Sequence, residues 1–178
     1  MCGAELHSLP DGVQRVAKFL LEQGHLATPR MLDNAARTAQ QAADALGIST
    51  GQIAKSIIFK RKPDDAAVLV IASGDKRVDV AKVQDLVCSF GQTLGRADAD
   101  FVKTKTGFAI GGVSPIAHTL EPVTLIDREL FRFDAVWAAA GHPHAVFELS
   151  PQDLERLTGA PVADVTEPGT ASAYIPST

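Results

Sequence analysis

Cysteine is almost absent: Cys2 and Cys88 are the only two in 178 residues. With one of them in a terminus that reads as frayed, they suit reduced thiols and exclude a disulfide framework or a thiolate metal centre. No apolar run reaches the length that crosses a bilayer, and Met1–Gly12 lacks the basic and hydrophobic regions of a secretion signal. The chain therefore reads as cytoplasmic, with no membrane partner. Positive charge is short as well: 17 Lys/Arg face 21 Asp/Glu, a net charge of −4 with a pI near 5.7, which on its face argues against a nucleic-acid binder, and no DNA partner is expected. Several chemical signatures are missing too. There is no phosphate loop followed by Lys-Ser/Thr, no Gly-x-Ser-x-Gly elbow and no His-Glu-x-x-His.

What is present is enough apolar material, 46% of the residues, for one well-buried core. The stretch Gln52–Arg61 organises it. As a strand, its period of two places Lys55 on one face with Ile57 and Phe59, and Ser56, Ile58 and Lys60 on the other. A lysine on an apolar face snorkels, pairs with a carboxylate, or waits for a ligand, because an unpartnered buried ammonium costs several kcal/mol.

Around that strand the pattern alternates helix and strand. Ser8 reads as the cap of a helix carrying Val13, Val16, Ala17, Leu20 and Leu21 and ending at Gly24; residues 25–32 read as a short extended segment. Thr38 caps Ala39–Leu46, Gly47 stops it, and Ser49 opens a single turn. Pro63-Asp64-Asp65 is a turn, and Ala66–Ser73, apolar on both faces, is a central strand. Helices are expected over Val78–Val87, with Val80, Val83, Leu86 and Val87 on one face, and over Ala97–Lys105. Brief strands are expected at Phe108–Ile110, Val123–Ile126, Ala135–Ala140, Ala145–Leu149 and Val162–Val165, with a helix opened by Ser150 and closed by Gly159. This predicts a single mixed α/β (α+β) domain over residues 1–166 with a mostly antiparallel, strongly curved sheet, and a loose tail over 167–178.

Residues 55–105 hold ten Lys/Arg against seven Asp/Glu, an excess of +3, while the remainder holds seven against fourteen. A modest basic side could carry weak, salt-dependent RNA binding through Lys60, Arg61, Lys62, Lys76, Arg77, Lys103 and Lys105. The loop Gly111-Gly112-Val113-Ser114-Pro115 offers backbone amides suited to a phosphate or an oxyanion. His142 and His144 form the one close histidine pair, a weak basis for a metallohydrolase because no third ligand is near in the sequence.

Taken together, Gln52-Ile53-x-Lys55-Ser56-x-x-Phe59, Thr106-Gly107-Phe108-x-Ile110-Gly111-Gly112-Val113-x-Pro115 and Gly141-His142-Pro143 resemble the YbaK/prolyl-tRNA-synthetase-associated editing domain in its free-standing form. Arg37-Thr38 and Asp127 also look like that family's pattern, and the resemblance spans Val13 to Val165. It implies a curled, barrel-like mixed sheet flanked by helices. It also implies trans-editing: hydrolysis, without metal or cofactor, of the ester joining a wrong amino acid to tRNA, often the tRNA for proline. By resemblance Lys55 is the catalytic lysine, the Gly111 and Gly112 amides are the oxyanion donors, and Ser56, Phe59, Val113, Pro115, Gly141 and His142 shape the pocket. Gly141 replaces the Asn of the alanine-specific relatives, which leaves serine, threonine, 2-aminobutyrate and cysteine as candidates beside alanine. A synthetase or elongation factor is the implied delivery partner. The alternative is a non-catalytic RNA- or protein-binding module of the same fold.

Overall fold

The structure, a computed structural model, describes residues 7–169. Cys2 and residues 170–178 of the expected tail lie outside the described residues. The chain runs α1 (Asp11–Glu22), β1 (Arg30–Met31), α2 (Ala39–Leu46), a 3₁₀ turn (Thr50–Gln52), β2 (Ile53–Lys62), β3 (Ala66–Ser73), α3 (Val80–Val87), β4 (Thr93–Arg96) and α4 (Ala99–Thr106). It continues through β5 (Val123–Asp127), a second 3₁₀ turn (Arg128–Arg132), β6 (Val136–Ala139), β7 (Ala145–Leu149), α5 (Pro151–Thr158) and β8 (Val162–Ala163).

All eight strands join one mixed sheet in the order β1-β7-β6-β2-β3-β5-β8, with β4 added to β2. Four of its seven pairings are antiparallel and three parallel. This is the mixed, helix-flanked sheet the sequence predicts. β3 is its centre, and residues 67–73 are all buried. Leu69 and Ile71 face the cluster built with Val13, Val16 and Leu20 of α1, Phe108 and Phe147; Val68, Val70 and Ala72 face Val83, Leu125 and Val165. Burying each such aliphatic side chain contributes about 1.5–3 kcal/mol, so β3 is anchored from both sides. α2 adds a smaller cluster in which Ala42 and Ala43 meet Ile53, the first residue of β2.

Three expectations need correction. The first helix starts at Asp11 with Pro10, not Ser8, in the capping position. Phe108–Ile110 forms no strand: Phe108 turns its ring into the core, while Ile110 is exposed and borders the open edge of β2 without pairing to it. α3 touches the sheet through Val83 alone as a fully buried residue, leaving Val80 42% and Leu86 54% exposed. β4, unexpected from the sequence, fills the edge of β2 from Phe59 to Lys62. No helix among the described residues is long and apolar enough to cross a membrane.

Candidate active site

Lys55 lies opposite Ala72 of β3, two residues from Ile57 and four from Phe59, both of which pack into the cluster around Val70. The period-two reading of β2 holds. Its ammonium donates to the Lys76 carbonyl at 2.5 Å, and no carboxylate among the described residues is within ion-pairing distance. Burial pushes the Lys55 pKa below its ordinary value, while the more distant Asp75 and Asp127 carboxylates pull it back up.

A polar floor fixes the turn that supplies the Lys76 carbonyl. Asp127 is fully buried and accepts from the Ser73 amide at 3.0 Å and the Glu129 amide at 2.9 Å; burial raises its carboxyl pKa against those two bonds. The Arg132 guanidinium donates to Asp75 Oδ1 at 2.7 Å and to Ser73 Oγ at 2.8 Å, which holds the Asp75 carboxyl below the usual range. Ser73 Oγ in turn donates to the Gly51 carbonyl at 2.6 Å. The end of β3, the turn after it and the turn before β2 are thereby held together.

β2 has a gap on its other edge. β6 pairs with it only at Ile53 and Ala54, and β4 only from Phe59 to Lys62, so residues 55–58 have no strand partner there. A cavity of about 240 Å³ opens where β2 parts from β6, lined by Arg37, Thr38, Lys55, Ser56, Gly111 and Val113 among others. Ser56 Oγ is buried and makes no hydrogen bond. Such a hydroxyl costs about 1–3 kcal/mol of unrecovered desolvation, which a bound polar group would restore.

The glycine loop divides its tasks. Gly111 has φ +92°, and neither its amide nor that of Val113 bonds to a described residue. Gly112, expected to be an oxyanion donor, gives its amide to the Ala109 carbonyl at 3.0 Å. Its lack of a side chain serves packing, since a Cβ there would lie 2.8 Å from the His142 backbone. The loop 141–144 thus buttresses the glycine loop from behind. The His142 ring does not line the cavity; its Nδ1 accepts from the His144 amide at 3.1 Å, and His144 Nδ1 lies 3.2 Å from the Leu32 carbonyl. Among the described residues no group of three His, Cys, Asp or Glu could hold a metal.

Phe59 and Pro115 also stand away from the cleft. Phe59 shares the face of Lys55 but lies further along β2, where β4 pairs with the strand and the ring packs into the cluster around Val83. Pro115 lines a separate cavity of about 390 Å³ with Phe19, His118 and Leu157. There His118 Nε2 donates to the Ser114 carbonyl at 2.6 Å, and burial lowers its pKa to about 4, so the ring is neutral at physiological pH. Gly141, like His142, acts through its neighbours: a Cβ would lie 2.4 Å from the Gly12 carbonyl oxygen at the start of α1.

One positioning residue was missed. Arg15 of α1 donates from Nε to the Ala117 carbonyl and from Nη2 to the Thr106 carbonyl, both at 2.9 Å, and stacks 4.2 Å above the Phe108 ring. It closes both ends of the glycine loop. Gly107, at φ +79°, permits this, since a Cβ there would strike the Arg15 guanidinium at 2.5 Å. The partners lie 91 and 102 residues away in sequence, and no periodicity signals them.

The family described as "Aminoacyl-tRNA editing domain" matches residues 33–157. The chain belongs to that family. YwhH, an uncharacterized protein of Bacillus subtilis (strain 168), is 32% identical over 126 residues, 71% of this chain and 78% of its own. A protein of Enterococcus faecalis (strain ATCC 700802 / V583) named "Putative Cys-tRNA(Pro)/Cys-tRNA(Cys) deacylase EbsC" is 26% identical over 142 residues, 72% of this chain and 77% of its own. A crystal structure described as "a putative trans-editing enzyme for prolyl tRNA synthetase" superposes with a TM-score of 0.82 at 38% identity, covering 90% of this chain and 99% of that one.

In this editing domain the expected tRNA-binding cations do not form one patch. Lys60 and Lys105 both sit against the Phe101 ring, and Lys103 caps its own helix end through the Gly107 carbonyl at 3.0 Å. Arg61 is turned to the opposite face of β2, bonded to Asp64 and the Val87 carbonyl. Lys76 lies 3.9 Å from Glu129 and Arg77 3.6 Å from Glu167, on the side of the polar floor.

Proposed function

We propose that this editing domain hydrolyses, in trans, the ester of a mischarged aminoacyl-tRNA whose amino acid is small: serine, threonine, alanine, 2-aminobutyrate or cysteine, on tRNA for proline or a related tRNA. The observation that carries the reading is a half-buried ammonium, Lys55, lining one small cavity with the unengaged amide of Gly111. Water adds to the ester carbonyl, the oxyanion forms, and its collapse breaks the bond to the ribose oxygen, which leaves with a proton. A positive charge and an aimed amide favour that oxyanion over the neutral ester, and each such donor is worth about 3 kcal/mol in comparable sites. Partial burial strengthens the Lys55 contribution because less water screens it. The chain needs no metal or covalent nucleophile for this step.

The amino-acid side chain is assigned to the region of Ser56 and Val113. A cavity of about 240 Å³ admits small side chains, and an apolar pocket separates amino acids differing by one methylene by only about 1–3 kcal/mol. The orphan Ser56 hydroxyl favours a substrate that brings a hydroxyl, thiol or ammonium partner. Delivery by a synthetase or elongation factor suits the acidic chain, whose own hold on tRNA is weak. The test is hydrolysis of mischarged tRNA by the parent protein and by Lys55→Ala. Loss of turnover in a folded variant supports the reading, and undiminished turnover rejects it.

A further inference from the structure

Two lysines from different elements converge on one ring near the cleft. Phe101, in the first turn of α4, has the Lys60 ammonium 5.1 Å and the Lys105 ammonium 5.7 Å from its centroid. Lys60 shares a face of β2 with Ser56 and Ile58, and at ~3.3 Å per residue it stands about 13 Å along the strand from Ser56. α4 itself ends at Gly107, where the glycine loop begins. The ring therefore lies on the Ser56 side of β2, and α4 connects it to the glycine loop that lines the cleft.

The charges there are only partly spent on neighbours. Lys105 makes no ion pair among the described residues. Lys60 pairs with the mostly exposed Asp65 at 3.1 Å. Asp98 is occupied in capping α4 through the Phe101 amide at 2.8 Å, which leaves Asp100 as the other acid of that turn. A cation resting on a partly exposed ring such as Phe101 gains about 0.5–1 kcal/mol, less than a phosphate provides.

We propose that Lys60, Phe101 and Lys105 form a binding surface for the single-stranded nucleotides that lead into the cleft. The two ammoniums contact phosphates, and Phe101 is a positioning residue that orders both long side chains before the RNA arrives, lowering the entropic cost of the contact. This rests on reading the cleft as the site of the aminoacylated 3′ end.

The probe is an uncharged RNA hairpin with a short single-stranded 3′ overhang, compared with the same hairpin made blunt, in anisotropy titrations over a range of salt. Lys105→Ala should weaken overhang binding and reduce the salt slope by about one. Phe101→Leu, which keeps an apolar side chain, should weaken it about two- to fivefold, the size of the cation–π contact, with the slope unchanged. Asp65→Asn should tighten it by releasing Lys60; Asn tolerates the φ of +54° at this position. Blunt-hairpin binding should be the same in all. Parental affinity for the overhang in both Lys105→Ala and Phe101→Leu would overturn the proposal, as would equal weakening on the blunt hairpin. Because the probe carries no ester, these outcomes are independent of hydrolysis: a parent that binds the overhang but deacylates nothing sinks the enzymatic reading alone.

Discussion

Alanine at position 112 tests how the site is held. The added Cβ would lie 2.8 Å from the Cα and carbonyl carbon of His142 and 2.9 Å from its amide nitrogen. Comfortable carbon contacts fall near 3.5–4.0 Å, so the two loops must part by about 0.7–1.2 Å. Both sides are backbone, and neither can swing aside as a side chain would. Overpacking of this kind costs about 1–3 kcal/mol, which lowers Tm by roughly 2–12 °C in a domain of this size. The rate should suffer more, since displacing an aligned group by ~1 Å costs on the order of 100-fold. We expect kcat/KM for mischarged tRNA to fall about 100-fold in Gly112→Ala while the protein stays folded by circular dichroism. Gly91→Ala is the control: it has φ +83° but open space around it, so it should lose about 1–2 kcal/mol of stability and no activity. A folded Gly112→Ala with parental kcat/KM would refute the claim that the 141–144 loop sets the position of the Gly111 turn.

Arg15→Met removes both carbonyl contacts at the ends of the glycine loop and should cost about 2–3 kcal/mol, read as a lower urea midpoint, with kcat falling more than KM rises; Arg15→Lys should recover part of each. Because burial lowers the Lys55 pKa and the reaction needs the ammonium, enzyme-catalysed kcat/KM should fall as pH rises through a value below 10.5, and Lys55→Arg should remove that limb from whatever activity it retains. Ser56→Ala deletes a hydroxyl that has no partner, so thermal melting should be unchanged or slightly raised, while the preference for serine or cysteine over alanine as the wrong amino acid should drop several-fold. A preference that stays fixed would remove Ser56 from the pocket.

The parts of this molecule that were readable in the sequence are those governed by short-range rules. β2 and β3 follow from alternation and from a run apolar on both faces, and α2 and α5 from Thr38 and Ser150 at their starts and αL glycines at their ends, whereas α4, expected from Ala97, starts at Ala99 with Asp98 as its cap. Lys55 stood out because it broke the period of β2. Recruitment by an edge was not readable: Thr-Leu-Gly-Arg has little strand character of its own, and β4 forms because the outer half of β2 needs a partner. The same preference for local pattern misplaced Phe108–Ile110, whose residues look like a strand although Phe108 is drawn into the core and the segment pairs with no strand. At the site, sequence nearness grouped Gly112 with Gly111, although one serves packing and the other lines the cleft. Arg15, the gap along β2 and the orphaned Ser56 hydroxyl depend on partners far away in the chain, which local patterns do not encode.

The most direct test is a deacylation panel: tRNAs for proline, alanine, serine, threonine and cysteine, each carrying matched or mismatched amino acids, incubated with the parent protein and with Lys55→Ala. The prediction is turnover of a mischarged species bearing a small amino acid, reduced at least ~100-fold in the variant, the scale of one lost oxyanion stabiliser, with both proteins folded. Turnover by Lys55→Ala at the parental rate, or no turnover of any species by the parent, would contradict the account.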